Sequence, residues 1–212
     1  IYVNIYVLTH IRLTCKLLDK QKIQLMKTEE NKMAKYAVIV VDMLNDFVTG
    51  ALGCDRGRAI VPSLEKLIKE ARSKDVPIIY SNDCHLKGID HELKLWGDHA
   101  IKGTEGAEVI PQLKPESCDF VVPKRRYSGF YGTDMALLLQ ELGVDTVIIT
   151  GLHAHMCCRH TAADAYYLGY DIVVPKETTD SFTEEDYVSG LKYLTEVYGA
   201  DVCGLDELVE KF

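Results

Sequence analysis

From Tyr36 onward, short β-branched apolar runs alternate with stretches of helical periodicity, and this alternation leaves few architectures open. The runs are YAVIVVD (36–42), PIIYSND (77–83), FVVPK (120–124), DTVIITG (145–151) and YDIVVPK (170–176). Each is nearly continuous in apolar character, as expected of strands buried on both faces. Helical patterns occupy 58–74, 131–143, 157–168 and 183–198, with Gly143 and Gly169 where helix ends are expected. A short sixth strand near 201–204 and a terminal helix from Asp206 complete the series. The pattern predicts a three-layer α/β/α, Rossmann-like domain with a doubly wound, mainly parallel sheet.

A chain of 212 residues is expected to form one domain, here 33–212. Residues 1–32 are too short and too interrupted, by Asn4, His10 and Arg12, for a membrane span. They also lack the basic start and small-residue cleavage site of a signal peptide. They are read as an N-terminal extension ahead of Met33 that adds nothing to the fold. The net charge of −8 argues against nucleic acid or an anionic membrane as partner. Seven scattered cysteines form no C-x-x-C pair and no regular framework. Mostly free thiols in a reducing, cytoplasmic setting are therefore expected.

In open parallel sheets, ligands bind beyond the carboxyl ends of the strands. Asp42, Asp83 and Lys124 end the first three strands, and Cys157 follows the fourth by a short turn, GLHAHM, at the start of a helix. Four polar or reactive groups from separate strands are thus brought to one edge. A thiol at a helix N-terminus meets unpaired N–H groups and the positive end of the helix dipole, which lowers its pKa and offers oxyanion donors. Asp42 would accept the thiol proton, and Lys124 would favour the thiolate and hold Asp42. The alternative for these residues is a buried Asp–Lys ion pair beside an inert cysteine.

The segments VVDMLNDF with GALG, WGDHAIKGTEGAEV, KRRYSGFYGTDM and CCRHTAADAYYLGYDIVV occur in an order that resembles the isochorismatase-like cysteine hydrolases. That superfamily includes nicotinamidases and N-carbamoylsarcosine amidases, and the resemblance runs from about 36 to 200. It implies a catalytic triad of Asp42, Lys124 and Cys157. It also implies a cis peptide at Leu152–His153 and an oxyanion hole from the backbone N–H groups of His153 and Cys157. Cys158 stands where the family has valine, which suggests packing. The reaction implied is hydrolysis of a C–N bond other than a peptide bond, in a small amide or carbamoyl compound, through a thioester with release of ammonia. A homo-oligomer, dimer or tetramer, is also implied. Isochorismate hydrolysis is disfavoured, because members doing it lack the cysteine. Two other readings stay open: a non-catalytic small-molecule binding module on the same fold, and a redox sensor using Cys157 and Cys158.

The triad itself requires no cofactor. By order and neighbourhood, Asp83, His85 and His99 match the places where nicotinamidases hold a divalent metal, and this donor set suits zinc, manganese or iron. His91 is an alternative ligand. Asp83 as a turn cap and His99 as packing are the plainer readings. Phe47, Trp96 and Tyr131 are candidate walls of a substrate pocket. Arg125, Arg126 and Arg159 are candidate partners for a substrate carboxylate, Arg125 foremost. His155 is expected to face solvent, with lining the pocket or guiding water as the alternative.

Overall fold

The computed structural model describes residues 35–212, so the expectations for 1–32 lie outside the described residues. Strands β1 (Tyr36–Val41), β2 (Ile78–Asp83), β3 (Phe120–Lys124), β4 (Thr146–Leu152), β5 (Asp171–Pro175), β6 (Thr179–Asp180) and β7 (Asp201–Cys203) form one sheet. The helices are α1 (Asn45–Val48), α2 (Asp55–Ala59), α3 (Val61–Ser73), α4 (Leu93–Trp96), α5 (Met135–Leu142), α6 (Cys157–Tyr167), α7 (Glu184–Tyr198) and α8 (Leu205–Val209).

The strand order is β3-β2-β1-β4-β5-β7, with β6 paired to β4, and every strand pair is parallel. Successive side chains on β1 point to opposite faces. Val38 and Val40 pack with Leu64, Leu67 and Ile68 of α3 and Leu208 of α8. Ala37, Ile39 and Val41 pack with Leu139 of α5, Ala162 and Ala165 of α6 and Leu194 of α7. Two apolar cores, one on each face, confirm the three layers and explain why the strands read as continuous apolar runs.

The order reverses between β1 and β4: β2 and β3 extend to one side, β5 and β7 to the other. This switch point opens a crevice beyond the strand ends. The sheet is tight there. Gly151 pairs with Val41, and a Cβ at Gly151 would lie 2.0 Å from the Val41 carbonyl oxygen.

Three boundaries differ from expectation. The helix expected at 58–74 is divided into α2 and α3 at Ile60, and Pro62 occupies the first turn of α3, where a missing N–H costs nothing. The helix expected from 131 begins at Met135; the preceding residues form a loop that includes Gly132 at φ 69°. Strand β6 was not expected at all, because two residues carry no periodicity.

Candidate active site

Asp42 follows β1 with φ 52°, a left-handed conformation that aspartate tolerates better than most residues. Its Oδ1 accepts the Asp83 N–H at 2.7 Å, which ties the ends of β1 and β2 together. Lys124, the last residue of β3, brings Nζ 2.7 Å from Asp42 Oδ2, 2.6 Å from Asp83 Oδ1 and 3.7 Å from Cys157 Sγ. All four residues are buried. The strand register places Lys124 directly opposite Asp83. The convergence expected from the strand ends is therefore present, with Asp83 added as a second carboxylate on the lysine.

The protonation states follow from burial and from two carboxylates sharing one cation. Burial, reinforced by Asp83, raises the Asp42 pKa to about 6 against the opposing pull of Lys124. Burial also disfavours ionised Asp83, but Lys124 and His85 outweigh it and hold that carboxyl below its ordinary value. Burial disfavours the Lys124 ammonium too, yet the carboxylates keep it firmly charged. The lowered thiol pKa expected at Cys157 is not what the site produces. Burial drives it well above the ordinary value, with Lys124 opposing and Asp42 and Asp83 adding to the rise. The helix start is too enclosed, and too well supplied with negative charge, to hold a free thiolate.

The nucleophile turn is held by β6, which the sequence did not reveal, and by α7, which it did. Leu152–His153 is a cis peptide, as the resemblance implies. Strand β6 pairs with Gly151 and Leu152, and the Ala154 N–H donates to the Asp180 carbonyl at 2.8 Å. The Met156 and Cys158 N–H groups both donate to the His153 carbonyl, at 2.9 and 3.2 Å. Gly190 of α7 packs against the same turn so closely that a Cβ there would lie 2.8 Å from the His155 nitrogen. Cys158 is buried, with its thiol 3.6 Å from the Thr150 carbonyl, in the packing position expected. His155 is not simply solvent-facing: its Nδ1 meets Ser181 Oγ at 3.0 Å.

Beside the lysine lies a second group. Asp83, His85, Glu92 and His99 each offer one ligand atom within 4.8 Å of the others. Asp83 Oδ2 and His85 Nε2 are buried with no hydrogen-bond partner among the described residues. The other ring nitrogens are already engaged: His85 Nδ1 pairs with Asp90 Oδ2 at 3.0 Å, and His99 Nδ1–H donates to the Gly97 carbonyl at 2.9 Å. This leaves both Nε2 atoms to face inward, as metal-binding imidazoles require. Burial and the Asp83 charge raise Glu92 to about 7, a sign of excess negative charge that a cation would relieve. The donor set fits a divalent metal. The alternative His91 is replaced by its neighbour: His91 is exposed, and Glu92 completes the group.

A narrow cavity of about 10 Å³, room for one water, lies over Cys157. Its walls include Phe47, Trp96, Tyr127, His153, Met156 and Phe182. Phe47 and Trp96 are placed as expected. Tyr131 is not among its walls: it sits 68 % exposed in the loop before α5, in an outer cleft of about 850 Å³. Tyr127 and Phe182, both missed from sequence, take its place. Arg125 is also redirected, since its Nε clasps buried Asp90 at 2.9 Å and the guanidinium supports His85 from behind. Arg126 lines the outer cleft, and Arg159 stacks over Tyr193 at 5.0 Å.

The isochorismatase domain matches residues 36–207. The structure is similar to that of an N-carbamoylsarcosine amidase from Thermoplasma acidophilum, at 40 % identity and TM-score 0.77, covering 81 % of this chain and 97 % of that one. It is also similar to a pyrazinamidase of Pyrococcus horikoshii solved in complex with zinc, at 29 % identity and TM-score 0.75, covering 80 % and 99 %. An uncharacterized isochorismatase family protein of Bacillus subtilis (strain 168) is 35 % identical over 180 residues, which are 79 % of this chain and 98 % of that protein. With its sheet, its switch-point crevice and nearly all of its described length accounted for, this chain belongs to the isochorismatase family of hydrolases.

Proposed function

We propose that the chain is a cysteine amidase that hydrolyses the C–N bond of a small amide or carbamoyl compound. The observation carrying this reading is the buried Lys124 ammonium, in reach of Asp42, Asp83 and Cys157 at the switch point. Asp42 takes the thiol proton as Sγ bonds to the substrate carbonyl carbon, so the thiolate exists only during attack. By the family resemblance, the amides of His153 and Cys157 receive the oxyanion, while those of Ala154, Met156 and Cys158 are committed to the Asp180 and His153 carbonyls. The C–N bond then breaks, Asp42 returns its proton to the leaving nitrogen, and ammonia departs. Water attacks the thioester with Asp42 again as base. The C–S bond breaks, the thiol is reprotonated and the acid leaves. Lys124 stays charged throughout and keeps Asp42 aimed at the sulfur.

Asp83, His85, Glu92 and His99 would hold a divalent metal such as zinc, manganese or iron. Bound there, it would act as a Lewis acid for a polar atom of the substrate. The apolar side chains exposed on one side, including Leu95, Tyr131 and Tyr167, suit contact with a second copy of the chain. Among the described residues no helix is long and apolar enough to cross a membrane.

The test is ammonia release by purified protein from nicotinamide, pyrazinamide and N-carbamoylsarcosine in parallel, with Cys157→Ala as control. Release from one compound that falls at least about 10³-fold in the variant is expected. Release that survives in Cys157→Ala would overturn the cysteine mechanism. No release by the native chain from any of the three would favour a binding module.

A further inference from the structure

His153 is only 2 % exposed, yet neither ring nitrogen has a hydrogen-bond partner among the described residues. An imidazole unpartnered at both positions is an unusual cost for a core. The ring is nonetheless held firmly. It stacks on Phe182 with centroids 3.8 Å apart and meets Phe47 edge-on at 6.1 Å. It lines the same narrow cavity as Cys157. It also follows the cis peptide directly, in the turn that leads into Cys157. The other polar residues of that cavity have partners or belong to the metal-ligating group: Asp83 binds Lys124, Trp96 Nε1–H donates to Tyr127 Oη at 2.9 Å, and Glu92 and His99 face the cation site.

Resting on the amidase reading above, we infer that His153 is a specificity-determining residue: its imidazole hydrogen-bonds a polar group that the substrate carries beside the scissile carbonyl, favouring ureido (N-carbamoyl) compounds over plain amides. Burial pushes the ring pKa down to about 3, so at neutral pH one nitrogen donates and the other accepts. The accepting nitrogen suits the N–H that a ureido group adds next to its carbonyl. A plain amide has a carbon there and leaves that nitrogen unpaired. Arg125, turned toward Asp90, does not compete for this role.

N-carbamoylglycine and succinamic acid differ only by N–H against CH₂ beside the carbonyl. Their dissociation constants are measured by calorimetry on Cys157→Ala protein, with and without His153→Phe, which keeps an aromatic ring against Phe182. A preference of about 10-fold or more for N-carbamoylglycine is expected, shrinking to within about 2-fold in His153→Phe. Partial recovery is expected in His153→Gln. An unchanged ratio in His153→Phe, or no binding of either compound, overturns the inference. If His153→Phe does not fold, the imidazole ¹⁵N signals of His153 in Cys157→Ala protein decide. N-carbamoylglycine should move the accepting nitrogen and succinamic acid should not; equal responses overturn the inference. Turnover by the native chain is read separately. A His153-dependent preference without Cys157-dependent hydrolysis sinks the amidase reading and leaves the recognition standing. Cys157-dependent hydrolysis with no His153-dependent preference does the reverse.

Discussion

At the scale of the residue, the site is governed by how few cations serve how many buried carboxylates. Among the described residues, Lys124 is the cation that faces both Asp42 and Asp83, with His85 Nε2 also 3.5 Å from Asp83. Lys124→Met would leave two buried carboxylates side by side without their shared ammonium. A stability loss of about 3–5 kcal/mol is expected in denaturant unfolding at pH 7, along with lost activity. A loss below about 1 kcal/mol would mean the cluster is far less buried in solution. His153 sets a separate acid limit. Its folded pKa, near 3 against 6.5 for a free imidazole, means the unfolded chain binds the extra proton first as pH falls. Stability from this residue is therefore complete above about pH 6.5 and declines below it, by about 2 kcal/mol at pH 5. The difference in unfolding free energy between native protein and His153→Phe should shift by this amount between pH 8 and pH 5. A pH-independent difference would show that the ring is solvated. Asp42, Lys124 and Cys157 were legible in the sequence because each sits at or just after a strand end. Glu92, Tyr127 and Phe182 were not, because their loops have no period to count from.

At the scale of the element, the nucleophile turn depends on two partners remote in sequence, β6 and α7. Gly190 permits α7 to lie against residues 154 and 155. Elsewhere in a helix, Gly→Ala would stabilise by about 1 kcal/mol through propensity alone. Gly190→Ala is expected to do the opposite, lowering the melting temperature and the turnover number, because the new Cβ has backbone rather than a mobile side chain to displace. A variant that melts higher and works as well would show that the helix can shift freely. The long helices were readable from periodicity and caps. For α7, the Thr183 side chain accepts the Asp186 N–H and three acidic residues fill the first turn. Strand β6 was unreadable, since it is defined by what it pairs with and not by its two residues.

At the scale of the whole molecule, the parallel sheet gathers Asp42, Lys124, Cys157 and the candidate metal-binding group onto one edge, with Asp83 bonded to Lys124 and also a member of that group. Metal analysis of purified protein is expected to find about one divalent ion per chain. Chelation should remove it and re-addition should restore both metal and activity, with His99→Ala failing to regain the metal. Full activity after complete removal would assign these residues a purely structural role. Chain order alone determined the layers and the edge on which chemistry would gather, because hydrophobic period and strand–helix alternation are local properties that the parallel fold inherits directly. Tertiary structure decided what stands around Cys157: that Arg125 turns to Asp90, that Tyr131 lies outside, that Glu92 joins the candidate metal-binding group and that His153 lines the cavity unpaired. Those outcomes depend on burial and on distances between loops far apart in sequence, and no residue carries them by itself.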